Sequence, residues 1–156
     1  MSDPTQYAVA RLVNDLPLVT RALFAEIRQI AHPAHYYVLT MVEAASCPVS
    51  ELADRLGVSL PSMSNMLDAL ETRGWVRRAP APHDGRMVLV EIQPAGEVVL
   101  REMREAASAR LRAHLACLQP GEIDTQIAGL AVIEKAFPCS PARERAHAGD
   151  VIQSNA

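Results

Sequence analysis

The chain has a single lysine. Of its 15 basic residues 14 are Arg, set against 18 Asp and Glu, for a formal charge of −3 at pH 7. That balance excludes a simple polybasic nucleic-acid binder. It leaves room for local patches of Arg, the side chain suited to planar, bidentate contacts with phosphate or guanine. Aromatics are nearly as scarce, at 4% of 156 residues, so the core must be built from Leu, Val, Ile, Met and Ala. No apolar run approaches the length of a membrane span, and the N-terminal MSDPTQYAVARLVND is broken by charge where a secretory signal is apolar. Three cysteines, Cys47, Cys117 and Cys139, are odd in number and form no CxxC, which signals neither a disulfide framework nor a zinc module. These absences point to a reducing cytoplasm and to no membrane partner. No nucleophile–base pair, phosphate loop or metal constellation is visible, so an enzyme is disfavoured and no cofactor is expected.

What is present fits one domain of common size. Residues 5–31 carry Val9, Leu12, Val13, Leu16, Val19, Leu23, Ile27 and Ile30 at helical spacing. Pro17 should kink or split that helix, and His32-Pro33 should stop it. A short buried helix is expected over 35–45, ended by Cys47-Pro48. Ser50 opens SELADRLG, a short amphipathic helix closed by Gly57. Ser59 is placed to cap the next helix, with Pro61 in its first turn. That helix runs to about Arg73 and stops at Gly74. Two strand-like runs, WVRRA and RMVLVEI, flank PAPHDG, and two further helices cover about 94–118 and 122–136. The polar tail begins at Cys139.

Two short helices, a tight turn at Gly57 and a following helix with polar residues early make a helix-turn-helix. In such motifs the second helix enters the major groove with its N-terminal residues at base edges. On that helix Met63, Met66, Leu67 and Leu70 form a core stripe, while Ser62, Asn65, Asp68, Ala69 and Thr72 face outward and Ser64 lies at the border. Ser and Asn can pair with base edges, and Ser59 with the first-turn N–H groups can hold a phosphate. The hairpin adds Arg77, Arg78 and Arg86. A wing with Arg86 near its tip can reach a minor groove, with Asp84 orienting it through a charge-assisted pair.

SELADRLGVSLPSMSNMLDALETRGWVRR…HDGRMVLVEIQPAG resembles the core of the MarR family of bacterial transcriptional regulators. Leu52-Ala53 to Leu56, Ser59 to Ser64, Leu70 to Arg78, and Asp84 with Arg86 match the family's motifs over about residues 50–96. The resemblance implies a fold that is mainly α with a small β-hairpin wing: a winged helix-turn-helix flanked by long dimerisation helices. It implies a homodimer on a near-palindromic double-stranded DNA operator, with half-sites about one helical turn apart. Release would come from a small, often aromatic, anionic effector, or from cysteine oxidation. The chain departs from the family pattern at Asn65, often Arg, at Gly85, where a second Arg is common, and at Ile92-Gln93, where Leu-Thr usually caps the next helix.

The expected organisation is therefore an N-terminal dimerisation helix over 1–34, a DNA-binding core over 35–93, dimerisation helices over 94–138 and a tail over 139–156. Its DNA contacts would be Ser59, Pro61, Ser62, Ser64, Asn65, Arg77, Arg78, Asp84 and Arg86. Because adjacent strand residues point to opposite faces, one of Arg77 and Arg78 is expected to be an ordinary surface charge. His32, His35, Tyr36 and Tyr37 sit where such relatives bind ligands, and they serve equally well as plain junction residues. The family's peroxide sensors keep their reactive cysteine in the first helix, where this chain has none. A zinc site from His32, His35 and His114 lacks a carboxylate at ligand spacing. A winged helix used only for protein contacts stays open as the rival to specific DNA binding.

Overall fold

Asp3 starts the first helix, its carboxylate accepting the Thr5 amide at 2.9 Å with Pro4 in the opening turn. In the computed structural model, which describes residues 3–136, this helix (α1) runs unbroken over Pro4–Ile30. Pro17 lies inside it and does not divide it. The carbonyl that Pro17 leaves without a donor is that of Val13, so one hydrogen bond of the helix is missing. The turns on either side carry the helix through that single gap.

The chain turns at Ala31, and His32 caps α2 (Pro33–Glu43) by accepting the Ala34 amide on its ring Nδ1 at 3.2 Å. Cys47–Pro48 then forms a short strand, β1, that the sequence reading did not anticipate. It pairs antiparallel with a later strand, Cys47 opposite Val90 and Pro48 opposite Leu89. Two residues leave no alternation to read, and proline argues against a strand, so only the tertiary partner reveals it.

Helix α3 begins at Val49, one residue before Ser50, and ends at Leu56 with Gly57 left-handed at φ 64°. Ser59 caps α4 (Leu60–Thr72), and Gly74, at φ 68°, turns the chain out of it. Strands β2 (Val76–Ala81) and β3 (Asp84–Ile92) make the hairpin, and with β1 they form a three-stranded sheet in the order β1-β3-β2. The strands reach further into PAPHDG than expected, leaving Pro82 and His83 as the turn, with an irregularity between Pro80 and Ala81. Helices α5 (Pro94–Leu115) and α6 (Pro120–Ala136) complete the described chain.

Ile27, Val38, Leu39, Leu52, Met63, Leu67, Leu70, Val90, Leu100 and Met103 are fully buried in one cluster. It draws on α1 through α5 and the sheet, so the short helices and the hairpin are held by a common core. Each such side chain contributes about 1.5–3 kcal/mol by leaving water. Burial is uneven along the terminal helices. In α1 only Phe24 and Ile27 are buried, and in α6 no residue is.

Candidate nucleic-acid interface

The front of α4 owes its shape to Ser59. Its hydroxyl oxygen accepts the Ser62 amide at 3.3 Å and hydrogen-bonds the Ser62 hydroxyl at 2.9 Å. Ser59, Pro61, Ser62, Ser64 and Asn65 are all exposed, whereas Met63, Leu67 and Leu70 are buried and Met66 is half-buried. The expected division of the helix into a core stripe and a polar outer face therefore holds. A row of neutral donors and acceptors is presented to solvent on a helix whose back is anchored in the core.

The wing stands beside it. Val90 and Ile92 turn toward the core, while Met87 and Val88 near the tip are exposed. Asp84 Oδ1 accepts the Arg86 backbone amide at 3.0 Å. This differs from the expected pairing with the Arg86 guanidinium: across two residues the carboxylate reaches its neighbour's amide first, as Asp does in turns. Asp84 thus shapes the tip, and among the described residues Arg86 enters no ion pair.

Arg77 and Arg78 divide as strand geometry requires. Arg77 is exposed and pairs across the hairpin with Glu91 at 2.7 Å. Arg78 points the other way, toward α4. Its Nη1 donates to Asp68 at 2.6 Å and to Glu71 at 2.7 Å, and its Nη2 donates to the Ser64 carbonyl at 2.7 Å. Glu71 also accepts the Arg78 backbone amide at 2.7 Å. Sequence spacing expects Asp68 only to face outward and assigns Glu71 no role. Ser64, Asp68 and Glu71 recur at helical spacing, and that stripe was the available sign of a partner on the next strand.

Arg73, one of the four Arg between residues 73 and 90, has a local partner. Its guanidinium lies 5.3 Å from the centre of the Trp75 ring and donates to the Ala69 carbonyl at 3.0 Å, closing the end of α4. Trp75 in turn touches the edge of His35, ring centres 6.3 Å apart.

The four residues considered for an effector do not line one recess. His32 caps α2, and His35 faces Trp75 with its Nδ1 buried and without a hydrogen bond. Burial, then the charges of Arg73 and His32, hold the His35 pKa below the ordinary imidazole value. Tyr36 and Tyr37 pack edge-on against Phe24 on the other side of α2, at 6.3 and 5.4 Å. Burial, with Tyr36 adding to it, raises the Tyr37 phenol. Two shallow recesses of the described surface lie elsewhere. One runs along α5 beside Arg101, Arg104 and Arg112, and the other lies between Val49-Ser50 and Arg86–Val88. The family resemblance sets all four beside one cleft at the helix junction, but consecutive residues of α2 point around the helix and not into one pocket.

Cys47 is buried, and desolvation, with Glu51 adding to it, pushes its thiol up to about 11. A thiol held protonated is a poor nucleophile for peroxide, which argues against a redox role at this position. Cys117 is exposed and donates to the His114 carbonyl at 3.3 Å. Cys139 lies outside the described residues, as does the tail. Among the described residues no His, Cys, Asp and Glu cluster is arranged to hold a metal, and no helix is long and apolar enough to cross a membrane.

Known proteins share this arrangement. A family model described as MarR family matches residues 32–87. An HTH-type transcriptional regulator of Mycobacterium bovis is 34% identical over 122 residues, spanning 74% of this chain and 85% of that protein. The multiple antibiotic resistance protein MarR of Escherichia coli is 36% identical over 84 residues, 53% of this chain and 58% of that protein. Among solved structures, Rv1404 of Mycobacterium tuberculosis superposes with a TM-score of 0.76 at 18% identity, over 90% of this chain and 99% of that one, a likeness of fold alone. A cysteine-to-serine variant of Escherichia coli MarR, solved with operator DNA, superposes with a TM-score of 0.61 at 26% identity, over 85% of this chain and 99% of that one. The Mycobacterium bovis relative is named as a regulator of transcription and not as an enzyme, and this chain belongs to the same family: it is a MarR-family transcriptional regulator with a winged helix-turn-helix DNA-binding fold.

Proposed function

We propose that the chain is a repressor that binds a near-palindromic operator as a homodimer and is released by a small-molecule effector. The observation that carries this reading is the pairing of an exposed, neutral N-terminal face on α4 with a wing whose Arg86 guanidinium enters no ion pair among the described residues. Ser62, Ser64 and Asn65 offer hydrogen bonds to base edges, and Asn65 suits adenine in particular. Arg86 serves the adjacent minor groove, where a cation reads width and potential. Ser59 and Pro61 shape the helix start beside a phosphate, and Arg77 adds long-range attraction.

The dimer follows from surface that one copy leaves uncovered. Tyr7, Val9, Val13, Leu16, Leu18 and Val19 on α1 are exposed, as are Ile127, Leu130 and Val132 on α6. Apolar rows at both ends of the chain call for a partner, and a two-fold dimer matches a near-palindromic site. The terminal helices then act as the dimerising part and residues 35–93 as the reading head. The effector's place on the chain is left to the family resemblance, since His32, His35, Tyr36 and Tyr37 share no recess.

The test is a footprint on the DNA immediately upstream of the chain's own gene, with the bound species sized by sedimentation. The expected result is protection of two related half-sites about one helical turn apart by a dimer. Equal protection of upstream and unrelated DNA, or binding by a monomer, would overturn the proposal and favour a winged helix that serves protein contacts.

A further inference from the structure

Arg78 joins the two parts of the reading head. It lies on β2, yet its guanidinium is spent on α4: Asp68 at 2.6 Å, Glu71 at 2.7 Å and the Ser64 carbonyl at 2.7 Å. The Arg78 amide adds a fourth tie, to Glu71. Its side chain is 24% exposed, against 62% for Arg77. These ties span Ser64 to Glu71, about two turns of helix. One of them holds the backbone of the segment that contains Ser62, Ser64 and Asn65.

An isolated surface ion pair contributes little, because two mobile side chains must be ordered for one screened attraction. This arrangement differs in geometry. One planar guanidinium reaches two carboxylates and a carbonyl at once, so ordering a single side chain makes several bonds. The carboxylates need an explanation as well. Asp68 and Glu71 belong to the helix expected to approach DNA, where negative charge opposes binding, and a residue there should perform some other task.

We propose that Arg78 is a positioning residue for operator recognition: it fixes the angle between α4 and the wing without touching DNA. This rests on the operator-binding reading above. Base edges in the major groove and the adjacent minor groove meet α4 and Arg86 together only over a narrow range of that angle. Holding the angle favours the cognate site and leaves attraction to any duplex unchanged. Lysine cannot substitute, since a compact ammonium lacks the planar fork.

The sign of one substitution separates this from direct contact. If Arg78 touched phosphate, removing its carboxylate partners would free it and lower the negative charge, and binding would strengthen. If Arg78 positions the head, the same change weakens specific binding. The experiment uses the full chain, the duplex that wild type enriches from a random-sequence pool, and a random duplex of equal length. The proteins are wild type, Arg78→Lys, Arg78→Gln and the double variant Asp68→Asn with Glu71→Gln, each checked for native circular dichroism. The expected result is a loss of about tenfold or more on the enriched duplex for Arg78→Lys and for the double variant, comparable to one mismatched base pair. Affinity of Arg78→Lys for the random duplex should match wild type, and Arg78→Gln should keep the wild-type salt slope. Tighter binding of the enriched duplex by the double variant would overturn the proposal. So would a slope reduced by about 0.9 in Arg78→Gln, the mark of one lost phosphate contact. If wild type enriches no sequence, operator binding itself is refuted and the role of Arg78 is refuted with it.

Discussion

Gly96, in the first turn of α5, packs so closely against the Trp75 carbonyl that a Cβ at position 96 would stand 2.1 Å from the oxygen. The same carbonyl accepts the Gln93 amide at 2.9 Å, and the Trp75 amide donates to Leu70 at 3.0 Å. The end of α4 and the start of α5 are therefore fastened at the backbone of one residue, Trp75. Since Gln93 makes no side-chain cap on α5, this contact is what holds the helix start.

Gly96→Ala must push α5 away from Trp75. Overpacking of this kind costs about 1–3 kcal/mol. At fixed protein concentration the melting temperature should fall by about 2–4 °C per kcal/mol for a chain of this size. Calorimetry of the variant beside wild type measures it, and an unchanged melting temperature would contradict the close approach.

Ser59→Ala removes the acceptor for the Ser62 amide and the partner of the Ser62 hydroxyl. Loss of such a cap costs about 1 kcal/mol. Urea unfolding should show that loss, and hydrogen exchange should quicken at the first-turn amides of α4 while the amides of α2 stay protected.

His35 makes stability depend on pH. Its folded pKa lies below the ordinary value because burial, Arg73 and His32 disfavour the cation. As pH falls through about 6.5 the unfolded chain takes up a proton that the folded chain resists, so stability present at neutral pH is lost on acidification. The slope is at most about 1.4 kcal/mol per pH unit. His35→Leu should flatten it. Urea midpoints at pH 7 and about pH 5.5 for both proteins test the sign.

Cys47 should resist labelling. With its thiol at about 11 and its side chain buried, a maleimide at neutral pH should modify exposed Cys117 promptly and Cys47 only after urea is added. Mass spectrometry of the peptides distinguishes the two, and prompt labelling of Cys47 in the folded chain would contradict its burial.

The reading head was legible because each of its parts is specified locally. Gly57 and Gly74 mark turns that require positive φ, Ser59 and Pro61 mark a helix start, and the Met63–Leu70 stripe marks the buried face. What the sequence hid was settled across the chain. Strand β1 exists only because β3 passes beside Cys47, Arg78 finds Asp68 and Glu71 ten and seven residues away, and Gly96 is required by the carbonyl of Trp75. Pro17 shows the opposite failure, a strong local rule overridden by the turns of helix on either side of it. Neighbours in sequence also misled: His35 and Tyr36 adjoin in the chain yet pack on Trp75 and Phe24 respectively.

In the proposed complex the exposed face of α4 and the tip of the wing read one DNA site together. The most direct measurement is the affinity for the protected upstream duplex across a salt series, for wild type, Asn65→Ala and Arg86→Ala. Wild type should show a steep salt slope. Asn65→Ala should lose about 1–3 kcal/mol on its own base pair and relax preference there with the slope kept. Arg86→Ala should lose affinity with the slope reduced by about one. Three proteins binding that duplex and a random one equally, with the same shallow slope, would contradict that joint reading.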